Sequence, residues 1–262
     1  MLLINDNRID LNKFPDGTLL MKFAIKSDKL QIQWFYESDE EVFALICITN
    51  HLRRINPGIK LSLYMPYIPH ARMDRVKDNS DVFTLKYFAN IINSLNFKQV
   101  FVLDPHSSVS ESLIDNIVHI PVDFYIKHVY DKVIEIEGKS IILFYPDSGA
   151  TKKYSCMLTN EYAYGLKDRD WDTGKINGLN VIGNVKDRTI LIIDDICSKG
   201  GTFYYSAKKL KEMGAKNIYL YITHCENTIL EGELIQSGLI TKIFTTNSIF
   251  TKEHELIEVI KL

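Results

Sequence analysis

Short apolar runs recur along this chain, and each gives way to a polar loop and then to a segment with helical spacing. "KLQIQWFY" at 29–36 precedes Ser38, with Glu41 three residues on and apolar periodicity up to Ile55, where "NPG" at 56–58 stops the pattern. Ser-x-x-Glu ahead of such a run is a capping-box signal and predicts a helix start. "KLSLYM" leads to a loop and a helical pattern near 82–95, and "QVFVLD" leads to "PHSS" and a further helical stretch. "SIILFYPD" leads to "SGATKK" and a helix. "TILIIDD" leads to "GGT" and the helix "FYYSAKKLKEM", closed by Gly214, before "NIYLYITH". Alternation of this kind predicts an α/β fold, with mostly parallel sheets and helices on their faces.

Composition narrows the function classes. Apolar residues are 46% of 262, enough for a sizeable core, and a net charge of -2 gives no nucleic-acid footprint. The opening "MLLINDNRID" turns polar too early for a signal peptide, and no apolar run is long enough to span a membrane. Cys47, Cys156, Cys197 and Cys225 lie far apart without paired spacing, so they are expected as reduced thiols in a cytoplasmic protein.

Three apolar runs end in carboxylates: Asp104, Asp147 and the adjacent pair Asp194/Asp195. A desolvated carboxylate is costly unless something offsets it. In open parallel sheets ligands bind beyond the carboxyl ends of the strands, where ligand hydroxyls or a metal can satisfy such groups. Gly200 and Gly201 let backbone N–H groups close around a phosphate, the following helix aims its positive end at it, and Thr202 adds a hydroxyl. One loop can therefore hold a sugar diol at its start and a sugar phosphate at its end. From residues alone, blander roles stay open. An Asp pair can cap a helix, and His106 can be a capping residue after Pro105. Lys167 and Arg169 can sit in an ordinary solvated loop, and Arg72, Asp74 and Arg75 can form a surface ion network. His224 reads as structural, Tyr204 and Tyr205 as helix packing, and His70 has no assigned role.

"ILIIDDICSKGGT" at 190–202 resembles the phosphoribosyl-pyrophosphate motif, and further segments, in order, resemble the phosphoribosyl pyrophosphate synthetase family: "KFPDGTLLMKF" (13–23), "MPYIPHARMDR" (65–75), "LDPHS" (103–107), "YPDSGATKK" (145–153), "LKDRD" (166–170) and "YITHC" (221–225). The resemblance implies two similar phosphoribosyltransferase-like domains, 1–122 for ATP, shortened at its start, and 123–262 for ribose phosphate, with the active site between them. It implies transfer of the β,γ-diphosphoryl group of ATP to the anomeric hydroxyl of ribose 5-phosphate, with Mg2+, in a homodimer or higher homo-oligomer. Phe14, Asp16, Arg72, Asp74 and His106 would bind ATP, with Phe14 and Asp16 reaching a neighbouring subunit's adenine. His106 and Asp147 would hold magnesium, and Lys167 and Arg169 would be catalytic. Asp194 and Asp195 would bind the ribose hydroxyls, and Ser198, Lys199, Gly200, Gly201 and Thr202 the phosphate.

The sequence departs from the family pattern at several places. Thr18 replaces Glu, Met73 replaces Gln, Ser198 replaces Asp and Lys199 replaces Thr. The start and the end are expected to lack the family's first strand and helix and its last helix. Lys199 suits a phosphate that is displaced or esterified, and the resemblance extends to the family's viral members that pyrophosphorylate ADP-ribose on a route that rebuilds NAD, which implies ADP-ribose as a second candidate acceptor. An inactive nucleotide-binding regulator and a phosphoribosyltransferase each fit part of the pattern; the transferase has no use for the ATP-like segments.

Overall fold

The computed structural model describes residues 1–23, 29–138, 141–169 and 176–262, with the backbone alone for 167–169 and 176–178. The chain divides into two compact units, Met1–Ile120 and Pro121–Leu262. Both are α/β with mostly parallel sheets, as the strand–helix alternation predicts.

In the first unit, β1 (Leu2–Ile4), β2 (Asn7–Arg8), β3 (Asn12–Lys13), β4 (Leu19–Leu20) and β5 (Lys29–Trp34) precede α1 (Glu40–Ile55). Then come β6 (Lys60–Tyr64), α2 (Thr84–Ser94), β7 (Val100–Leu103), α3 (Ser108–Leu113) and β8 (Ile117–Ile120). The sheet order is β2-β1-β5-β6-β7-β8, parallel from β5 onward and antiparallel at β1 and β2. β5 alternates exposed or half-buried with buried positions, and Leu30, Ile32 and Trp34 point into the core. The capping box does not form. The N-cap of α1 is Asp39, without a side-chain bond, and Glu41 turns inward. Its buried carboxylate accepts from the Trp34 indole N–H at 2.9 Å, the Glu37 amide at 2.9 Å and the Met1 amino group. A buried charge with three donors is a stronger attraction than a reciprocal cap.

In the second unit, α4 (Asp123–Glu137), β9 (Ile142–Tyr145), α5 (Ser148–Tyr154), β10 (Tyr162–Arg169) and β11 (Ile176–Ile182) come first. They are followed by β12 (Ile190–Cys197), α6 (Gly201–Glu212), β13 (Ile218–Cys225), a 3-10 turn (Asn227–Glu231), α7 (Glu233–Gln236), β14 (Lys242–Thr246) and β15 (Ile257–Ile260). The sheet order is β11-β10-β9-β12-β13-β14-β15, antiparallel only at β10–β11. Central strands of parallel sheets are covered on both faces, so all eight residues of β13 are buried and β12 starts with four buried aliphatics. α6 buries Phe203, Ala207 and Leu210 at helical spacing, and it ends at Gly214, whose φ of 89° stops the helix. This packing fixes the ends of β9 and β12, where the carboxylates lie.

Candidate active site

The carboxylates of the second unit meet at the carboxyl ends of neighbouring strands. β9 and β12 pair in parallel. Asp147 follows the first, while Asp194 and Asp195 lie within the second, which runs on past the acidic pair to Cys197. Asp147 caps α5, its Oδ1 accepting from the Ala150 amide at 3.0 Å. The Asp195 amide donates to Asp194 Oδ1 at 2.9 Å. Asp195 itself is buried and pairs with Lys153, whose Nζ lies 3.0 Å from Oδ2. Asp194, half-buried, has its carboxyl pushed up to about 8. Burial is the main cause, the Asp195 charge the next, and Asp147 adds to them, while the Asp195 amide and Lys153 oppose. Two adjacent carboxylates with one nearby cation behave this way: one stays ionised and the other keeps its proton. The sequence gives Lys153 no evident part. It stands six residues after Asp147 and 42 before Asp195, and no local pattern marks that pairing.

The loop 198–202 follows directly. Gly200 is the N-cap of α6 in the left-handed region, φ 78°, where residues with a Cβ are strained. Gly201 and Thr202 open the helix and are exposed. A second segment packs against the loop that the sequence does not announce. Ser198 Oγ meets Thr228 Oγ1 at 3.2 Å, and Thr228 donates to Glu226 Oε2 at 3.1 Å. Lys199 Nζ lies 3.5 Å from Glu231 Oε2, with both side chains about two-thirds exposed.

In the first unit, "PDGT" forms the tip joining β3 and β4. Asp16 Oδ1 accepts from the Thr18 amide at 3.0 Å and from its hydroxyl at 2.7 Å, so Thr18, the departure from the family pattern, ties the turn shut. These bonds hold the Asp16 carboxyl below its usual range. Phe14 is exposed at that tip. The segments 65–75 and 103–107 converge: Ser107 donates to Asp74 Oδ2 at 2.7 Å, and the Arg75 guanidinium grips the same carboxylate at 2.6 and 3.0 Å. Arg75 first, and also Ser107 and the nearby His106, hold the Asp74 carboxyl down at about 2. Nothing local in the sequence singles out Ser107 for this bond. His106 and Arg72 are exposed, whereas Asp104 is buried at a φ of 46°. His70 sits at a φ of 64° with Nε2 3.1 Å from Asp39, which also accepts from Tyr36 at 2.9 Å.

Lys167 and Arg169 do not lie in an irregular loop. Their backbones belong to β10, opposite Leu179 and Ile176 of β11. Their side chains, and the 170–175 segment with Trp171, lie outside the described residues. His224 is structural as expected, buried with Nδ1 2.8 Å from Ser248 Oγ. Tyr204 packs against the core from α6, and Tyr205, 64% exposed, meets its ring edge-on at 5.3 Å. All four cysteines are free, with Cys197 and Cys225 buried. Among the described residues no helix is long and apolar enough to cross a membrane, and no three His, Cys, Asp or Glu side chains converge as metal ligands.

Residues 172–262 match the model of the phosphoribosyl synthetase-associated domain. The chain is 28% identical over 235 residues to a ribose-phosphate pyrophosphokinase of Hyphomonas neptunium, spanning 84% of this chain and 71% of that one. To the protein of the same name from Bacillus subtilis it is 29% identical over 232 residues, spanning 84% and 69%. A crystal structure of phosphoribosylpyrophosphate synthetase from Mycobacterium smegmatis superposes with a TM-score of 0.77 at 18% identity, over 97% of this chain and 86% of that one. Over most of its length the chain is similar to proteins named ribose-phosphate pyrophosphokinase, and it shares the fold of the phosphoribosylpyrophosphate synthetase crystal structure.

Proposed function

We propose that this chain is a ribose-phosphate diphosphokinase, which transfers the β,γ-diphosphoryl group of ATP to the anomeric hydroxyl of ribose 5-phosphate and releases AMP. The observation that carries this is the end of β12: an acidic pair followed by the left-handed Gly200 turn into α6, on a chain whose relatives bear the name ribose-phosphate pyrophosphokinase. Asp194 and Asp195 take the ribose 2- and 3-hydroxyls. Ser198, Lys199, Gly200, Gly201 and Thr202 take the 5-phosphate through backbone N–H groups and the α6 terminus. Phe14, Asp16, Arg72, Asp74 and His106 form the nucleotide side.

The chemistry follows from these roles. The anomeric oxygen attacks the β-phosphorus, the bond from that phosphorus to the α-phosphate oxygen breaks, and the hydroxyl proton leaves. Negative charge spreads over equatorial oxygens, which positioned cations stabilise. Lys167 and Arg169 are those cations. Magnesium would be held at Asp147 and His106. The Asp147 carboxylate is a hard oxygen donor of the kind this ion prefers, and an ion that arrives with a triphosphate and keeps its waters needs few protein ligands. When bound, it offsets phosphate charge.

ADP-ribose is the second reading of the acceptor. It is favoured by Lys199, an exposed cation paired with Glu231 where a short hydroxyl would otherwise face the phosphate. The decisive experiment for the reaction class is AMP release from ATP and magnesium on adding ribose 5-phosphate, with phosphorus NMR of the product. AMP with a new diphosphate ester supports the proposal. Tight nucleotide binding without turnover makes the chain a nucleotide-binding regulator instead.

A further inference from the structure

We infer that Lys153 is a positioning residue for the acceptor: by holding Asp195 as its counter-ion it sets the acidic pair in the asymmetric arrangement that receives the ribose diol. The inference rests on the diphosphokinase reading and deepens it.

The geometry is specific. Lys153 comes from the last turn of α5 and reaches across from the β9 side to the end of β12. Its Nζ meets Asp195 Oδ2 at 3.0 Å and lies 5.3 Å from the centre of the Tyr154 ring. That ring is buried and stacks on Tyr145 at 6.4 Å. A lysine stem is flexible by nature, and here the aromatic face and the carboxylate restrict it together. The same short helix is capped at its start by Asp147, so Asp147 and Lys153 stand at the two ends of one element.

The consequence concerns the two neighbouring carboxylates. Asp195, buried and engaged at Oδ2, is a fixed anion. Asp194 is the more accessible of the two, and its Oδ1 is oriented by the Asp195 amide. Lys153 thus acts on the acceptor through Asp195. Without it, nothing holds Oδ2 of Asp195 from the α5 side, and the two carboxyl groups lose their relative orientation.

The test compares Lys153→Met and Lys153→Arg with the wild type, in kinetics for both substrates and in calorimetric binding of ribose 5-phosphate in the presence of a non-hydrolysable ATP analogue and magnesium. Lys153→Met should raise the acceptor KM and Kd by about tenfold or more, the usual cost of losing one charge-assisted contact, with the ATP KM nearly unchanged. Lys153→Arg should restore most of it. In an Asp195→Asn background, Lys153→Met should add no further loss. A folded Lys153→Met protein with wild-type acceptor binding overturns the inference, as does an equal loss in both backgrounds. If Lys153→Met does not fold, Lys153→Arg decides: acceptor binding as weak as in Asp195→Asn overturns it. A wild-type protein that neither binds nor turns over ribose 5-phosphate or ADP-ribose overturns the function and this inference with it.

Discussion

The backbone carbonyl of Lys199 occupies the space that a side chain on Gly232 would need. The carbonyl carbon lies 2.8 Å from where that Cβ would stand. Gly232 has an ordinary φ of -87°, so the requirement is steric and not conformational. The segment after β13 therefore backs directly onto the phosphate loop. Gly232→Ala should push the Lys199 peptide and raise the acceptor KM, and overpacking of this sort costs about 1–3 kcal/mol of stability. Gly58→Ala is the control, since its nearest neighbour would be Asn56 Oδ1 at 3.7 Å. Denaturant unfolding and kinetics for both variants check this; a Gly232→Ala enzyme indistinguishable from Gly58→Ala would show that the loop does not need its backing.

Asp194 predicts a pH dependence with a definite sign. Its folded carboxyl is raised from 3.8 to about 8 by burial and by Asp195, so within that window the folded state holds a proton that the unfolded state has lost. Stability from this group is full below pH 3.8 and is lost as pH rises toward about 8. Asp74 works the other way: held at about 2, it contributes above pH 3.8 and loses that contribution in acid. The melting temperature of the ligand-free protein should fall as pH rises through the Asp194 window, and Asp194→Asn should flatten the slope. An identical pH profile for the two proteins would exclude the raised carboxyl.

Glu137 organises the other end of the second sheet. At the end of α4, it accepts from Asn217 Nδ2 at 2.8 and 3.0 Å, from the Tyr219 hydroxyl at 2.7 Å and from the Thr189 hydroxyl at 3.2 Å. Burial, and then Glu137 itself, raises the Tyr219 phenol above its usual range. Glu137→Ala strands two buried hydroxyls, of Tyr219 and Thr189, and the Asn217 amide, which costs about 2–4 kcal/mol by the usual penalty per unpaired buried group. The loss should appear in equilibrium unfolding, with kcat/KM of the folded fraction unchanged. A drop in kcat/KM at full stability would instead tie Glu137 to the site.

The sequence is most legible where physics is local. Apolar runs such as "TILIIDD" mark strands because a two-faced sheet needs them. Gly200 and Gly214 mark turns because the left-handed region favours glycine. Legibility fails where partners are distant in sequence. Lys153 and Asp195, Ser107 and Asp74, and Ser198 and Thr228 are joined by strand order, which no window of residues encodes. It fails also where a local rule loses to a tertiary one: Ser38 and Glu41 have capping-box spacing, but the Trp34 indole offers Glu41 a buried partner. The Lys167 region reads as a loop because its polar composition hides a strand pairing with β11.

On β10 the backbones of Lys167 and Arg169 stand opposite Leu179 and Ile176 of β11, with a register shift between Asp168 and Arg169. If both stabilise charge that develops only during transfer, Lys167→Ala and Arg169→Ala should each lower kcat by about a hundredfold, roughly 3 kcal/mol, with ATP binding nearly intact. Asp168→Ala, which removes no cation, should cost far less. Equal losses in ATP affinity and in rate would make the two cations ground-state binders.

If the proposed reaction holds, Lys199 is expected to decide the acceptor. Ribose 5-phosphate ends in a phosphate monoester, which asks for a closed ring of short donors. In the proposed site the left-handed Gly200 turn, the Gly201 amide and Thr202 would supply much of that ring. Lys199 stands aside from them to the extent that its ammonium pairs with Glu231 at 3.5 Å, and an exposed pair of this kind contributes only about 0–1 kcal/mol. Little is therefore lost if a ligand draws the ammonium away, and Lys199 can follow either a terminal phosphate or one that continues into a second group. With the diol pair and the Gly-Gly-Thr turn intact, ribose 5-phosphate is expected to have the higher kcat/KM. The ratio of that constant for the two acceptors is the measurement, because specificity is such a ratio. A preference for ADP-ribose above about tenfold, or roughly 1.4 kcal/mol, reverses the assignment. In that case Lys199→Thr should move the ratio back toward ribose 5-phosphate, and Glu231→Gln, which releases the lysine, should move it further toward ADP-ribose. A ratio unmoved by either substitution would place the selector elsewhere on the chain.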